Sequence, residues 1–246
     1  MAVEMNVSFR PTERQIKQIR LWLEEEERNT QEGFYCNWNS IKSSYDEKSI
    51  AIILEGRKAI GFITWHGGGE DSSAGIDISE IHPDYRRKGY LKHMFNELCQ
   101  HLVAQGTVAL WLRCVPAASE KAWKRLGFTR SPEVMQHTNT RSHEGPKMYK
   151  IIVPHLKPAK KISTKEVVKL WDQEPHEARK CDPAWQWNLK FQLKTRTLKL
   201  PIIYPAHPDW QINWSVDGLS QKEEKVKGFL DRNRYIGSFV MITELL

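Results

Sequence analysis

The chain has little of what would place it in a membrane, a disulfide framework or a zinc fold. No stretch approaches the ~18 consecutive apolar residues that a membrane span requires. The first residues, MAVEMNVSFRPTERQ, have no apolar core and no small-residue cleavage site, so no secretory signal is expected. The four cysteines (Cys36, Cys99, Cys114 and Cys181) lie far apart and form no C-x-x-C pair. No disulfide framework is expected from them, and the pattern fits a reducing cytoplasm. The nine histidines are scattered, with no metal-type pairing at short spacing to a cysteine or acidic residue, so no metal site is expected. There is no internal repeat and no low-complexity tract.

What remains is an ordinary globular composition: 246 residues, 40% hydrophobic and 27% charged. That length suffices for one large domain, or for one good core and a second small one. The formal net charge of +7 is a modest basic excess. It favours polyanions or anionic cofactors without proving either.

Periodicity divides the chain into two textures. VSFRP is a short strand candidate. ERQIKQIRLWLEEEERN follows as a helix, with an apolar stripe of Ile16, Ile19, Leu21 and Trp22, a capping box at Thr12 and Gln15, and Glu24–Glu27 as a solvated end. NWNSIKSSY reads as a weaker second helix. SIAIILEGRKAIGFITWHGGG reads as a hairpin and SAGIDISEIHP as a further strand ended by Pro83. A helix over about 88–105 buries Met94, Phe95, Leu98, Leu102 and Val103 and stops at Gly106. TVALWLRCV reads as a strand, PAASEKAWKRLGF as a short helix, and SPEVMQH and PKMYKIIV as closing strands around a polar loop. The order β-α-α-β-β-β-α-β-α-β-β predicts a mixed α/β layer architecture. After Val153 a Pro- and Lys-rich linker, PHLKPAKKIS, leads to a second region. There a helix (TKEVVKLWDQ), three strands, a polar helix (SQKEEKVKGFLD) and a last strand predict a small α+β or β-rich domain. The expected domains are 1–155 and 156–246.

The stretch IHPDYRRKGYLKHMF, residues 81–95, packs three cations and a glycine into the mouth of a helix. The first amides of a helix have no partners inside it and carry partial positive charge. They hold a phosphate well, a glycine lets the backbone approach it, and arginines add charge-assisted bonds.

The run Ile81-x-Pro83-x-Tyr85-Arg86-x-x-Gly89 between a strand and an amphipathic helix resembles the acetyl-CoA motif of the GNAT superfamily of N-acetyltransferases. TVALWLRCV and AASEKAWKRLGF resemble that superfamily's next strand and helix, ending in Leu-Gly-Phe at 126–128. The resemblance covers residues 6–153 and implies a GNAT-like acyltransferase fold with acetyl-CoA as co-substrate. It implies that Arg86, Arg87, Lys88, Gly89, Tyr90 and Leu91 hold the CoA pyrophosphate, largely through backbone amides. Ile81 and His82 would border the pantetheine arm, which lies in a splay between strands 75–82 and 108–115. Three features depart from the pattern, one being that PAAS stands where the family frequently has an Asn after the fifth strand. Leu91 replaces a small residue. Trp123 replaces the tyrosine that usually protonates the leaving thiolate, and an indole has no proton to give near neutral pH.

Acetyl transfer to an amine also needs a base, because an alkyl ammonium has a pKa of about 10.4. Strict alternation would put Ile76, Ile78, Glu80 and His82 on one face of their strand and Asp77 on the other. Glu80 is therefore the candidate base, with His82 a weaker one. A backbone N–H near Ile81 would meet the oxyanion, and Cys114 reads as core packing. The expected acceptor is an amine on a small molecule, peptide or protein, in a pocket lined by the first helices and loop 137–146.

From Leu156 onward, sixteen Lys and Arg stand against eleven Asp and Glu, and five of the ten tryptophans lie here. Basic charge among aromatics suits RNA, and so acetylation of aminoacyl-tRNA is one alternative. Against RNA, Trp185 with Trp187 and Trp210 with Trp214 fall on single strand faces, as core residues would. A second alternative is a degenerate CoA-binding module that regulates without catalysis.

Overall fold

The structure is a computed structural model and describes residues 5–31, 33–70, 72–136, 145–229, 234–236 and 238–245. The chain divides into two compact units. The first comprises Met1–Leu112 with Lys121–Gly127, and the second Arg113–Glu120 with Phe128–Leu246.

The first unit follows the order read from the sequence. β1 (Met5–Ser8) leads to α1 (Glu13–Thr30) and α2 (Trp38–Asp46), then β2 (Ile50–Glu55), β3 (Lys58–Gly67) and β4 (Ser72–Ile81). α3 (Tyr90–Ala104), β5 (Thr107–Arg113) and α4 (Glu120–Arg125) follow. β1 to β4 pair antiparallel in sequence order, and β5 lies parallel to β4, which makes the sheet mixed. α1 starts with the expected capping box: Thr12 Oγ1 accepts from Gln15 N–H, and Gln15 Oε1 accepts from Thr12 N–H. Ile16, Ile19, Trp22 and Leu23 of α1 pack with Ile41, Ile50, Ile52, Phe62 and Ile78. Leu21, placed on the buried stripe by the sequence, is 54% exposed, and Leu23 takes its place in the core. Val103 of α3 is likewise exposed, while Tyr90 is buried.

A β-bulge decides which side chains of β4 share a face. Ile63 pairs with Ser79, but Trp65 pairs with Ile76, so β4 carries one extra residue opposite Thr64. Thr64 Oγ1 accepts from Ile78 N–H at 3.1 Å and holds the irregularity in place. Cross-strand partners point to the same side. Ile76, Ser79 and Ile81 therefore fall on the side of Ile63 and Trp65, and Glu80 on the side of Phe62. The expected alternation is overturned: Ile76 leaves the Glu80 face, and Asp77, paired with His66, joins it.

In the second unit, β6 (Thr129–Arg130) pairs with β7 (Lys147–Ile151). SPEVMQH, read as a strand, forms a 3-10 turn at Glu133–Gln136; of the loop proposed at 137–146, residues 137–144 lie outside the described residues. β8 (Glu166–Leu170), α5 (Pro175–Ala178), β9 (Trp185–Asn188), β10 (Thr197–Pro205), β11 (Gln211–Val216) and β12 (Leu219–Lys225) come next. α6 (Val226–Phe229), β13 (Arg234–Ile236) and β14 (Phe239–Glu244) complete it. They build a sheet β12-β11-β8-β9 and a sheet β10-β14-β13 around Val168, Trp187, Ile202, Trp210, Ile212, Phe229 and Ile242.

Two helix expectations fail here. TKEVVKLWDQ contains β8, because Val167, Val168 and Leu170 are β-formers with neighbours on both sides, Trp214 and Trp187 opposite Val168. The first half of SQKEEKVKGFLD is the polar edge strand β12, a charged rim of the kind that discourages further pairing, and only Val226–Phe229 is helical. The linker is tied down: Leu156 N–H donates to Pro201 O at 2.8 Å and Ala159 N–H to Gln186 O at 2.7 Å. Among the described residues no helix is long and apolar enough to cross a membrane.

Candidate active site

The candidate site forms where β4 passes into α3. Gly61 of β3 creates the room: a β carbon there would lie 2.4 Å from Ile81 Cδ1 and 2.9 Å from Glu80 O. Ile81 is buried against this gap. His82 then opens a 3-10 turn over Pro83–Tyr85, its Nδ1 accepting from Asp84 N–H at 3.3 Å.

The chain enters α3 through two left-handed residues, Arg87 (φ 65°) and Gly89 (φ 86°). Glycine takes this conformation freely, whereas a residue with a β carbon pays about 1–2 kcal/mol. His93 N–H to Gly89 O, at 3.1 Å, is the first turn's closing bond, so the helix itself offers no acceptor to the amides from Gly89 to Lys92. Apart from its own stretch of chain, no atom lies within 4 Å of where a Gly89 β carbon would be. The backbone of the turn therefore faces open space, as an anion-binding nest requires.

A cavity of about 410 Å³ adjoins this turn. Of the residues expected from the sequence, Glu80, Ile81, Arg86, Arg87, Gly89, Tyr90 and Leu91 line it. His82 and Lys88 do not, and the Lys88 ammonium sits 5.1 Å from the Tyr85 ring centroid. Tyr90 donates its hydroxyl to Glu55 Oε1 at 2.5 Å, which raises the pKa of the phenol and pins the first turn of α3 to the end of β2. Ser79, Lys92, Ala122, Arg125 and Leu126 also line the cavity. Sequence reading missed Ser79, which alternates with Glu80 and falls on the Ile81 side of β4. The only trace of Arg125 was a cation in the last turn of a short helix.

Arg86 is occupied. Its Nε donates to Ile81 O at 2.9 Å, and one terminal nitrogen reaches Glu26 Oε1 at 2.5 Å and Glu80 Oε1 at 3.1 Å. Glu26, expected at a solvated helix end, has a side chain only 8% exposed, and its Oε2 is buried with no hydrogen-bond partner. Burial pushes the Glu80 carboxyl up, against the opposing pull of Arg86 and of the Ile81 N–H that Glu80 accepts at 2.9 Å. The amide expected to meet an oxyanion is thus engaged by Glu80. The His82 imidazole is pushed down by burial first and then by Lys58. Because its Nδ1 accepts a hydrogen bond, a neutral His82 carries its proton on Nε2, which leaves no free basic nitrogen.

Parallel pairing of β4 with β5 ends at Gly75–Trp111, while β4 continues to Ile81. The two strands are therefore unpaired over the stretch that leads to the cavity. Trp123 packs edge-on against Phe95, ring centroids 6.2 Å apart, and does not line the cavity. In the second unit Cys114 is buried with its Sγ 3.4 Å from Met148 Sδ, as expected of core packing.

Residues 13–128 match the family model described as Acetyltransferase (GNAT) family. Solved structures similar to the chain are distant. Ard1 from Thermoplasma volcanium is 15% identical, with a TM-score of 0.47 over 61% of this chain and 99% of that one. The GNAT family N-acetyltransferase YhbS from Escherichia coli in complex with CoA is 11% identical, with a TM-score of 0.49 over 62% and 84%. Tetrahymena GCN5 is 14% identical, with a TM-score of 0.45 over 63% and 99%. A search of curated proteins finds no match.

Proposed function

Because residues 13–128 belong to the acetyltransferase (GNAT) family, we propose that the chain transfers an acetyl group from acetyl-CoA to a primary amine of a small molecule, peptide or protein. One observation carries this reading: the left-handed pair Arg87 and Gly89 opens the first amides of α3 onto a cavity that continues along the end of β4. In the proposal these amides hold the pyrophosphate, with Arg87, Lys88 and Arg125 as the cations around it. The pantetheine arm runs past Ile81 into the gap between β4 and β5. Glu80 takes the proton that an ammonium must shed before it attacks the thioester. Residues 1–155 would carry this chemistry in the cytoplasm, and 156–246 would recognise the acceptor or a partner.

Acetyl-CoA is expected to raise the melting temperature, since a ligand bound only by the folded state adds about 2.7 kcal/mol at a hundred times its Kd. Gly89→Glu, which puts a carboxylate where the anion would sit, is expected to abolish that rise. No rise in the wild-type protein would end the proposal.

A second reading, a CoA-binding module without catalysis, draws on Trp123, which packs on Phe95, and on Arg86, whose guanidinium is already held by two carboxylates. Thiol release with a panel of amines separates an enzyme from such a module. Acetylation of aminoacyl-tRNA draws less support. Trp171, Trp187, Trp210 and Trp214 are buried, and Trp185 stacks on Trp210 at 5.8 Å, so these rings offer little face to a base.

A further inference from the structure

At the point where β4 and β5 part, the structure holds an imidazole–carboxylate pair that the acetyl-transfer reading leaves without a task. His66, at the end of β3, bonds through Nδ1 to Asp77 Oδ1 at 2.7 Å. Its ring lies across Gly75 and meets Trp111 of β5 edge-on, centroids 5.2 Å apart. Gly75 is what seats it: a β carbon there would be 2.4 Å from His66 Cε1, 2.7 Å from Nε2 and 2.9 Å from the Trp111 ring. Gly75–Trp111 is also the last parallel pair before the gap. His66 Nε2 therefore stands over Gly75, at the apex of the gap between β4 and β5.

The tautomer follows from the partner. A carboxylate only accepts, so Nδ1 carries the proton and Nε2 of the neutral ring keeps its lone pair. This is the reverse of His82. Burial pushes the Asp77 carboxyl up, with the His66 ring opposing it and Glu47, after α2, adding a further repulsion. The bond to Asp77 is made at Nδ1 and leaves Nε2 outside it. About half of the imidazole side chain is exposed, so a substrate can reach it.

We infer that His66 is a catalytic acid–base residue for the collapse of the tetrahedral intermediate, with Asp77 as its positioning residue. The inference rests on the acetyl-CoA reading above. When a neutral amine adds to the thioester carbonyl, the new C–N bond leaves nitrogen with one proton too many and the carbonyl oxygen negative. The carbonyl then re-forms, the C–S bond breaks, and the sulfur leaves as a thiolate that needs a proton. Nitrogen and sulfur are bonded to the same carbon, so one group beside it serves both. Nε2 accepts the proton from nitrogen, and the imidazolium gives it to the departing sulfur. Asp77 keeps Nδ1–H throughout and stabilises the cation between the two transfers. Glu80 acts earlier, on the free ammonium. His66 thereby supplies the proton that Trp123 cannot give.

The test is affinity labelling with bromoacetyl-CoA, whose electrophilic carbon occupies the place of the acetyl methyl, followed by peptide mass spectrometry. The expected result is alkylation of His66 at Nε2 with loss of bromide, suppressed by excess CoA. Asp77→Asn is expected to slow labelling about tenfold and to divide it between Nε2 and Nδ1, which a merely structural aspartate would not do. His66→Gln is expected to lose the label while CoA still raises its melting temperature. CoA-suppressible labelling of another residue, or an unlabelled His66 in a protein that CoA stabilises, overturns the inference alone. If CoA does not stabilise the wild-type protein, the acetyl-CoA reading falls and takes this role with it.

Discussion

The turn at 86–91 and the core between β8 and β14 are both rich in cations and aromatics, and they use them in opposite ways. In the core, Arg196 makes two bonds to Glu166, at 2.9 and 2.6 Å, and lies over the rings of Phe191 and Trp214. Trp214 Nε1 donates to the same carboxylate, and Trp171 Nε1 to Cys181 O. Charge there is turned inward and paired. At the turn, Arg87 is exposed in a left-handed conformation, the first amides of α3 face a cavity, and Ser79 Oγ and Glu26 Oε2 are buried without partners. By composition both regions could suit a polyanion, although the spacing of the C-terminal tryptophans already favoured a core. Only the balance of satisfied and unsatisfied groups separates a stabilising cluster from a place kept ready for a ligand.

The largest effect that would break this comparison is on the core side. Trp187 is 1% exposed and central to its cluster, so Trp187→Ala is expected to cost about 3–5 kcal/mol in chemical denaturation. The figure belongs near the lower end, because the mutation also removes a buried indole N–H that lacks a partner. The melting rise given by acetyl-CoA is expected to survive in whatever fraction stays folded. A loss under about 1 kcal/mol would mean that the ring packs loosely, and would return the C-terminal tryptophans to candidacy as an RNA surface.

Next in size is Glu80. Glu80→Gln is expected to lower kcat/KM about 100-fold, the usual contribution of a positioned base. Burial holds the carboxyl above its ordinary range, which fixes two signs. Activity that needs the carboxylate falls as pH drops through the raised midpoint, and the variant should lack that acid limb. Stability runs the other way. A group whose folded pKa is raised contributes fully below its unfolded pKa of about 4.3 and loses that contribution as pH rises through the folded one. A variant with an unchanged rate and an unchanged pH profile would remove Glu80 from the chemistry and strengthen the reading of a module without catalysis.

How far the sequence reached follows the same division. The element order of the first unit was legible because each element there has a clean period and a terminating Pro or Gly: Pro11 before α1, Pro83 after β4, Gly106 after α3. The strand-to-helix turn at 86–91 was placed for the same reason. What failed depended on pairing. β8 read as a helix because TKEVVKLWDQ has apolar residues at helical as well as strand spacing, and its neighbours β11 and β9 lie far along the chain. The facing of Asp77 failed because a bulge is a property of two strands, and neither ISEI nor FITW announces it. Glu26 read as solvated because its partner, Arg86, is sixty residues away.

The smallest effect bears most directly on why the turn is built as it is. Arg87 holds a left-handed φ of 65°, which costs a residue with a β carbon about 1–2 kcal/mol relative to the right-handed region. Glycine pays back part of that saving in chain entropy. Arg87→Gly is therefore expected to stabilise the free protein by up to about 1 kcal/mol while weakening acetyl-CoA several-fold, since one cation beside the anion is lost. The two signs must be read together, melting temperature without ligand and Kd with it. Stability and affinity moving in opposite directions would mark a strain kept for binding. If both fell, the arginine would be a structural residue of the turn, and the contrast with the core would lose its sharpest point.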